Sequence, residues 1–142
     1  LRGTRHNARG VDLNRNWSVR WRPAGRRWQT YYPGPRAWSE PETRLARSLI
    51  TRLRPQATIW YHQHMDLVWA SGPSLRAGSV YARAASMSLL RRASPAGAAT
   101  AWQRHLMPRA AAFVVELPAG RLDGRAITRH VRAIAAVAAT LA

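Results

Sequence analysis

SEPETRLARSLITRLRPQATIWYH, residues 39–62, decides the fold. Its first half reads as a helix. Ser39 can accept a backbone N–H near Glu42 while the Glu42 side chain reaches back, and Pro41 falls in the first turn, where no helical donor is lost. Leu45, Leu49, Ile50 and Leu53 then form one apolar stripe until Pro55 stops the run, which makes an amphipathic surface helix of about four turns. The second half, ATIWYH at 57–62, is short, β-branched and aromatic, and reads as a strand. An amphipathic helix running into a nearly continuous apolar strand fits an α/β sheet covered by helices.

The same grammar extends to both sides. AFVVEL at 112–117 is a second strand of buried type, halted by Pro118, Ala119 and Gly120. Beyond Asp123, a candidate cap, Ile127, Val131, Ile134, Val137 and Leu141 recur at helical spacing, so the chain ends on an amphipathic helix. Residues 71–79 read as a loop, 80–92 as a helix offering Tyr81, Ala84, Ala85, Met87 and Leu89 for burial, and 94–97 as a further loop. Residues 1–38, rich in Gly, Pro, Arg and Trp with a YYPGP turn at 31–35, carry no sustained periodicity.

Composition narrows the function classes. At 142 residues the chain is one domain's worth, and 46% hydrophobic content with seven tryptophans argues against disorder. The net charge of +17 raises nucleic-acid binding, but the arginines are dispersed from Arg2 to Arg132, with no run longer than two and no lysine anywhere. That pattern fits a codon bias better than a phosphate-binding surface, where lysine also serves. With no cysteine, neither disulfides nor a thiolate metal site is available, and any metal must sit on His, Asp or Glu. No apolar run approaches the roughly 18 residues of a membrane span, and residues 1–4 are not a signal peptide.

Two ionisable residues sit where plain structure would not put them. His62 ends one hydrophobic strand and Glu116 lies near the end of another, and strand ends in an open α/β sheet border the usual ligand crevice. A core histidine and a salt-bridged glutamate are the ordinary explanations. Together, however, a neutral imidazole for zinc and a carboxylate able to take a proton from water make half of a metallohydrolase. His64 and Asp66 follow His62 at weak ligand spacing, whereas His6, His105 and His130 show none and read as surface or helix histidines. Further upstream, GVDLNRNW at 10–17 crowds Asp12, Asn14, Arg15 and Asn16 onto one turn, close behind TRHN at 4–7.

Taken in order, GVDLNRNW, YYPGPRAWSEPETR at 31–44, the strand ending in His62 and FVVELPAG at 113–120 resemble the zinc metallocarboxypeptidase family, the relatives of carboxypeptidase A. The bacterial branch with the murein peptide amidases is the closer match. The resemblance runs from Arg5 to the last helix. It implies a mixed, mostly parallel sheet sandwiched by helices and a Zn2+ cofactor with His62 as a ligand. It also implies that Glu116 is the general base, that Asn14 and Arg15 hold the substrate's terminal carboxylate, and that Arg5 stabilises the oxyanion. Thr100 would line the specificity pocket, while the family's substrate-capping tyrosine falls near Ala93 and has no counterpart.

One departure is larger. In this family the first two zinc ligands come from an HxxE motif, and no histidine here is followed three residues later by Glu. Together with a start at Leu1, this leads us to expect residues 1–142 to be one partial catalytic domain that lacks its N-terminal part and is inactive alone. The expected substrate is a peptide with a free C-terminal carboxylate, from a protein or from the cell wall, and the wall branch points to an extracytoplasmic setting in a bacterium. Two other readings stay open: a metal-free remnant that binds peptide carboxylates through Asn14 and Arg15, and an arginine-rich nucleic-acid binder.

Overall fold

A computed structural model describes residues 5–141. The reading of residues 1–4 as no signal peptide, and Thr4 of the TRHN segment, lie outside the described residues. In chain order the elements are α1 (Pro41–Leu53), β1 (Ala57–Gln63), β2 (Leu67–Ala70), α2 (Leu75–Ala84), β3 (Ser88–Arg91), α3 (Ala99–Leu106), β4 (Ala111–Leu117) and α4 (Gly124–Ala139). They form two units, one made of Leu1–Arg54 with Ser94–Leu106 and the other of Pro55–Ala93 with Met107–Ala142.

The second unit is built on a mixed four-stranded sheet in the order β1-β4-β2-β3. β1 runs parallel to β4 and β2 parallel to β3, while β2 and β4 are antiparallel. Alternation along the strands sends Val68, Ala70, Ala111, Phe113 and Val115 towards α2 and α4, where Tyr81, Ala133 and Val137 complete the core. By the same alternation Trp60, His62, Val114 and Glu116 share the opposite face.

Inside the core the Tyr81 hydroxyl lies 2.9 Å from that of Tyr61 and 2.8 Å from Nδ1 of His130. His130 is therefore a buried partner on α4 rather than a surface histidine, and its buried Nε2 has no hydrogen-bond partner among the described residues.

Residues 80–92 do not form the expected helix. Gly78 lies inside α2, because a Cβ there would come within 2.7 Å of the Ala70 Cβ, so the glycine lets the helix approach β2. The helix then stops where Ser86 takes a left-handed φ of 53°, and the chain re-enters the sheet as β3. β2 and α3 lie in segments where no element was expected, and β3 takes the end of the segment expected as helix. The strands at 57–62 and 112–117, the terminal helix and the Asp123 cap are all present, with the Asp123 carboxylate accepting the Ala126 N–H at 2.7 Å.

In the first unit Trp17 and Trp38 meet edge to face at 5.0 Å between centroids, Trp38 and Trp102 do so at 5.4 Å, and Trp17 lies tilted on Trp102 at 4.8 Å, all within the favourable range for aromatic pairs. α1 begins one residue later than the capping box requires. Its N-cap is Glu40, and the Ser39 hydroxyl donates to the Glu40 carboxylate at 2.7 Å and accepts the Asn16 amide at 2.8 Å. The Glu42 carboxylate accepts from the Asn7 amide at 3.3 Å instead of closing the box. A buried polar network thus outcompetes the local cap. Nor is the apolar stripe covered as expected: Ile50 is buried, whereas Leu45 is 73% and Leu53 63% exposed.

Candidate active site

The first unit carries the turn at residues 10–17. Asp12, buried, accepts the Asn14 N–H at 3.0 Å and starts a short 3-10 turn, Leu13–Arg15. Its second carboxylate oxygen takes the Arg5 Nε–H at 2.7 Å, so one acid both bends the chain and anchors a guanidinium. The Asn14 amide oxygen accepts the Ala99 N–H at 3.0 Å, at the start of α3, which turns the Asn14 NH2 group away from that helix. Arg15 donates through Nη1 to the Asn14 carbonyl at 2.7 Å.

Two positive charges crowd this turn, and Tyr31 holds them together. Its ring centroid lies 4.5 Å from the Arg5 Cζ and 4.8 Å from the Arg15 Cζ, and its backbone takes a left-handed φ of 67°. Burial lowers the Arg15 pKa from its ordinary value; Asp12 and Tyr31 oppose that shift and Arg5 adds to it. A guanidinium still stays charged under any ordinary condition. Gly97 closes the turn from the other side: its N–H donates to Val19 at 2.9 Å, its carbonyl accepts from Trp17 at 3.0 Å, and a Cβ on it would run into the Arg15 carbonyl.

The Asn16 side chain is consumed by the fold. Its Nδ2 reaches the carbonyls of Pro33 at 2.7 Å and Arg36 at 3.0 Å, and its Oδ1 accepts the Thr43 hydroxyl at 2.8 Å. Glu40 is the buried acid of this network. Burial pushes its carboxyl up, but hydrogen bonds from Ser39 and Asn7 and the charges of Arg9 and Arg44 outweigh that and leave it below the ordinary value. Thr100, in α3, is buried with its hydroxyl 2.8 Å from that of Ser94.

The second unit holds His62 and Glu116. They are register partners on neighbouring parallel strands, so their side chains leave the same face of the sheet from strands about 4.8 Å apart. Glu116 is buried, and none of the ion pairs among the described residues involves it, which removes the ordinary explanation of a salt-bridged glutamate. β1 ends at Gln63, so His64 and Asp66 lie beyond the strand and are exposed, not on the face of His62.

Zinc catalysis normally takes three protein ligands and an open position. Among the described residues no three His, Asp or Glu side chains gather in a metal-binding group, so His62 alone does not complete a site. Neither Tyr31 nor Gly97 was recognisable beforehand. A ring between two guanidiniums and a glycine against a carbonyl arise only when distant segments meet.

Comparison with known proteins adds the family. The chain matches the zinc carboxypeptidase family over residues 1–117. Among solved structures, murein-tripeptide amidase MpaA from Escherichia coli O157 superposes with a TM-score of 0.70 at 24% identity, over 95% of this chain and 60% of that one. Carboxypeptidase A from Helicoverpa armigera gives 0.74 at 20% identity, over 94% and 42%. Bovine thrombin-activatable fibrinolysis inhibitor, solved with tick carboxypeptidase inhibitor, gives 0.74 at 18%, over 96% and 59%. The chain thus spans 60% or less of the length of these three structures, and no curated protein matches it. A match over residues 1–117, with the mixed sheet and helices that these structures share, places the chain in the zinc carboxypeptidase family.

Proposed function

We propose that residues 1–142 belong to one catalytic domain of a zinc-dependent hydrolase that cleaves the bond before a C-terminal residue bearing a free carboxylate. The observation that carries this reading is the His62–Glu116 pair, a potential metal ligand beside a buried carboxylate that forms no ion pair among the described residues. His62 would be one ligand of the zinc, which would polarise the scissile carbonyl and the attacking water. Glu116 takes a proton from the attacking water and returns it to the leaving amine nitrogen as the C–N bond breaks. Arg5 donates to the carbonyl oxygen as it becomes an oxyanion. Asn14, through its NH2, and Arg15, through its free N–H groups, hold the terminal carboxylate, and Thr100 lies along the side chain of the terminal residue.

Cell-wall peptides are the substrates we favour, on the likeness to the murein-tripeptide amidase, and with them an extracytoplasmic location. No helix among the described residues is long and apolar enough to cross a membrane. Hydrolysis of an acylated dipeptide by the full-length protein, with the C-terminus free or amidated, tests the reading. Cleavage of the free acid alone is expected; equal cleavage of both would remove the carboxylate clamp from the account.

A further inference from the structure

A cavity of about 240 Å³ opens beside Arg15 in the first unit, lined by Arg15, Arg22, Trp21, Tyr31, Pro33 and Pro95 among others. Two of its lining residues are cations and none is an acid. Neither Arg15 nor Arg22 makes an ion pair among the described residues; Asp12, the nearby carboxylate, is committed to Arg5. Two guanidiniums lining one concavity raise its local positive potential, and walls of indole, phenol and proline ring strengthen that field by excluding water.

The volume decides what fits. Pockets for drug-sized molecules run to roughly 300–1,000 Å³, so this one suits a single side chain rather than a separate small molecule. When one carboxylate occupies Arg15, a charge of +1 remains at Arg22. A ligand carrying one negative group leaves that charge unmatched, and a ligand carrying two satisfies it.

We infer that this cavity is a subsite for a second carboxylate, with Arg22 as the residue that selects substrates whose C-terminal residue has an acidic side chain. The inference rests on Arg15 holding the terminal carboxylate, as proposed above. Arg22 is exposed, so its pairing is worth no more than about 1 kcal/mol, or about fivefold in affinity.

The test is calorimetric binding of two acetylated dipeptides in which a ketomethylene link replaces the cleavable amide, one ending in Glu and one in Gln, to the full-length protein and to its Arg22→Gln variant. These ligands have nearly the same shape and differ by one charge. The expected result is about fivefold tighter binding of the Glu peptide, with the ratio falling close to one in the variant. Equal binding of both peptides by the unaltered protein overturns the subsite and leaves the clamp standing. A preference that survives Arg22→Gln overturns its assignment to Arg22. If neither peptide binds, the clamp itself fails and the subsite falls with it.

Discussion

The side-chain oxygen of Asn14 accepts the backbone N–H of Ala99, 85 positions along the chain, at 3.0 Å. That bond serves the first donor of α3, an otherwise unpaired group of the kind that helix starts leave, and it fixes which end of the Asn14 amide remains for a ligand. Asn14→Asp keeps the acceptor for Ala99 but replaces the outward NH2 with a negative oxygen. The melting temperature should therefore change little, while affinity for a peptide carboxylate drops by about tenfold or more, the loss of one charge-assisted hydrogen bond. Unchanged binding by calorimetry would show that Asn14 is only a cap.

Tyr31 supports Arg5 and Arg15 at once. Cation–π contacts at exposed sites are worth about 0.5–1 kcal/mol each, so removing the ring costs about 1–2 kcal/mol in positioning the pair. Tyr31→Leu should raise KM severalfold, and Tyr31→Phe, which keeps the π face, should restore it. A Phe variant as impaired as Leu would move the effect from the ring to the hydroxyl.

Removal of Asn16 should act on stability. Asn16→Ala removes five side-chain hydrogen bonds, to the carbonyls of Pro33 and Arg36, the hydroxyls of Ser39 and Thr43 and the N–H of Glu40, and leaves the Glu40 N–H with no other partner among the described residues. Five buried hydrogen bonds lost at about 0.5–1.5 kcal/mol each predict a loss of about 3 kcal/mol or more by denaturant unfolding. A cost below about 1 kcal/mol would mean that water replaces the amide.

His130 gives the fold a pH dependence. Burial, and after it the charge of Arg129, lower the imidazole pKa from its ordinary 6.5, with Asp66 opposing. Between that lowered value and 6.5 the unfolded chain binds more protons than the folded one, so stability is full above about 6.5 and falls as the pH drops through this window. The melting temperature should decline on acidification from about pH 7.5 to about pH 5, and His130→Gln should flatten the decline. Equal slopes for the two proteins would exclude His130 as its source.

Much of the second unit was legible because its signals are local. Pro55 and Pro118 bound the two long strands, and Asp123 with the apolar spacing after it marks α4. α2 was displaced because Gly78 looks like a loop residue until Ala70 is seen packed against it. In α1 and α4 periodicity located the helices but misjudged their cover, since Leu45, Leu49 and Leu53, and likewise Ile127, Val131 and Ile134, are exposed. For the candidate site, the family's motifs singled out Asn14, Arg15, His62 and Glu116 in the sequence, and the roles given to them here are proposals. The register that pairs His62 with Glu116 depends on strand order, which no local pattern encodes.

The central claim is that Glu116 is the base of a peptide hydrolase. The direct measurement is turnover of an acyl dipeptide by the full-length protein and its Glu116→Gln variant, with zinc content determined on both. The account predicts equal zinc and a turnover lower by about 10²–10⁴-fold in the variant. Retained turnover in a zinc-loaded Glu116→Gln protein would contradict it.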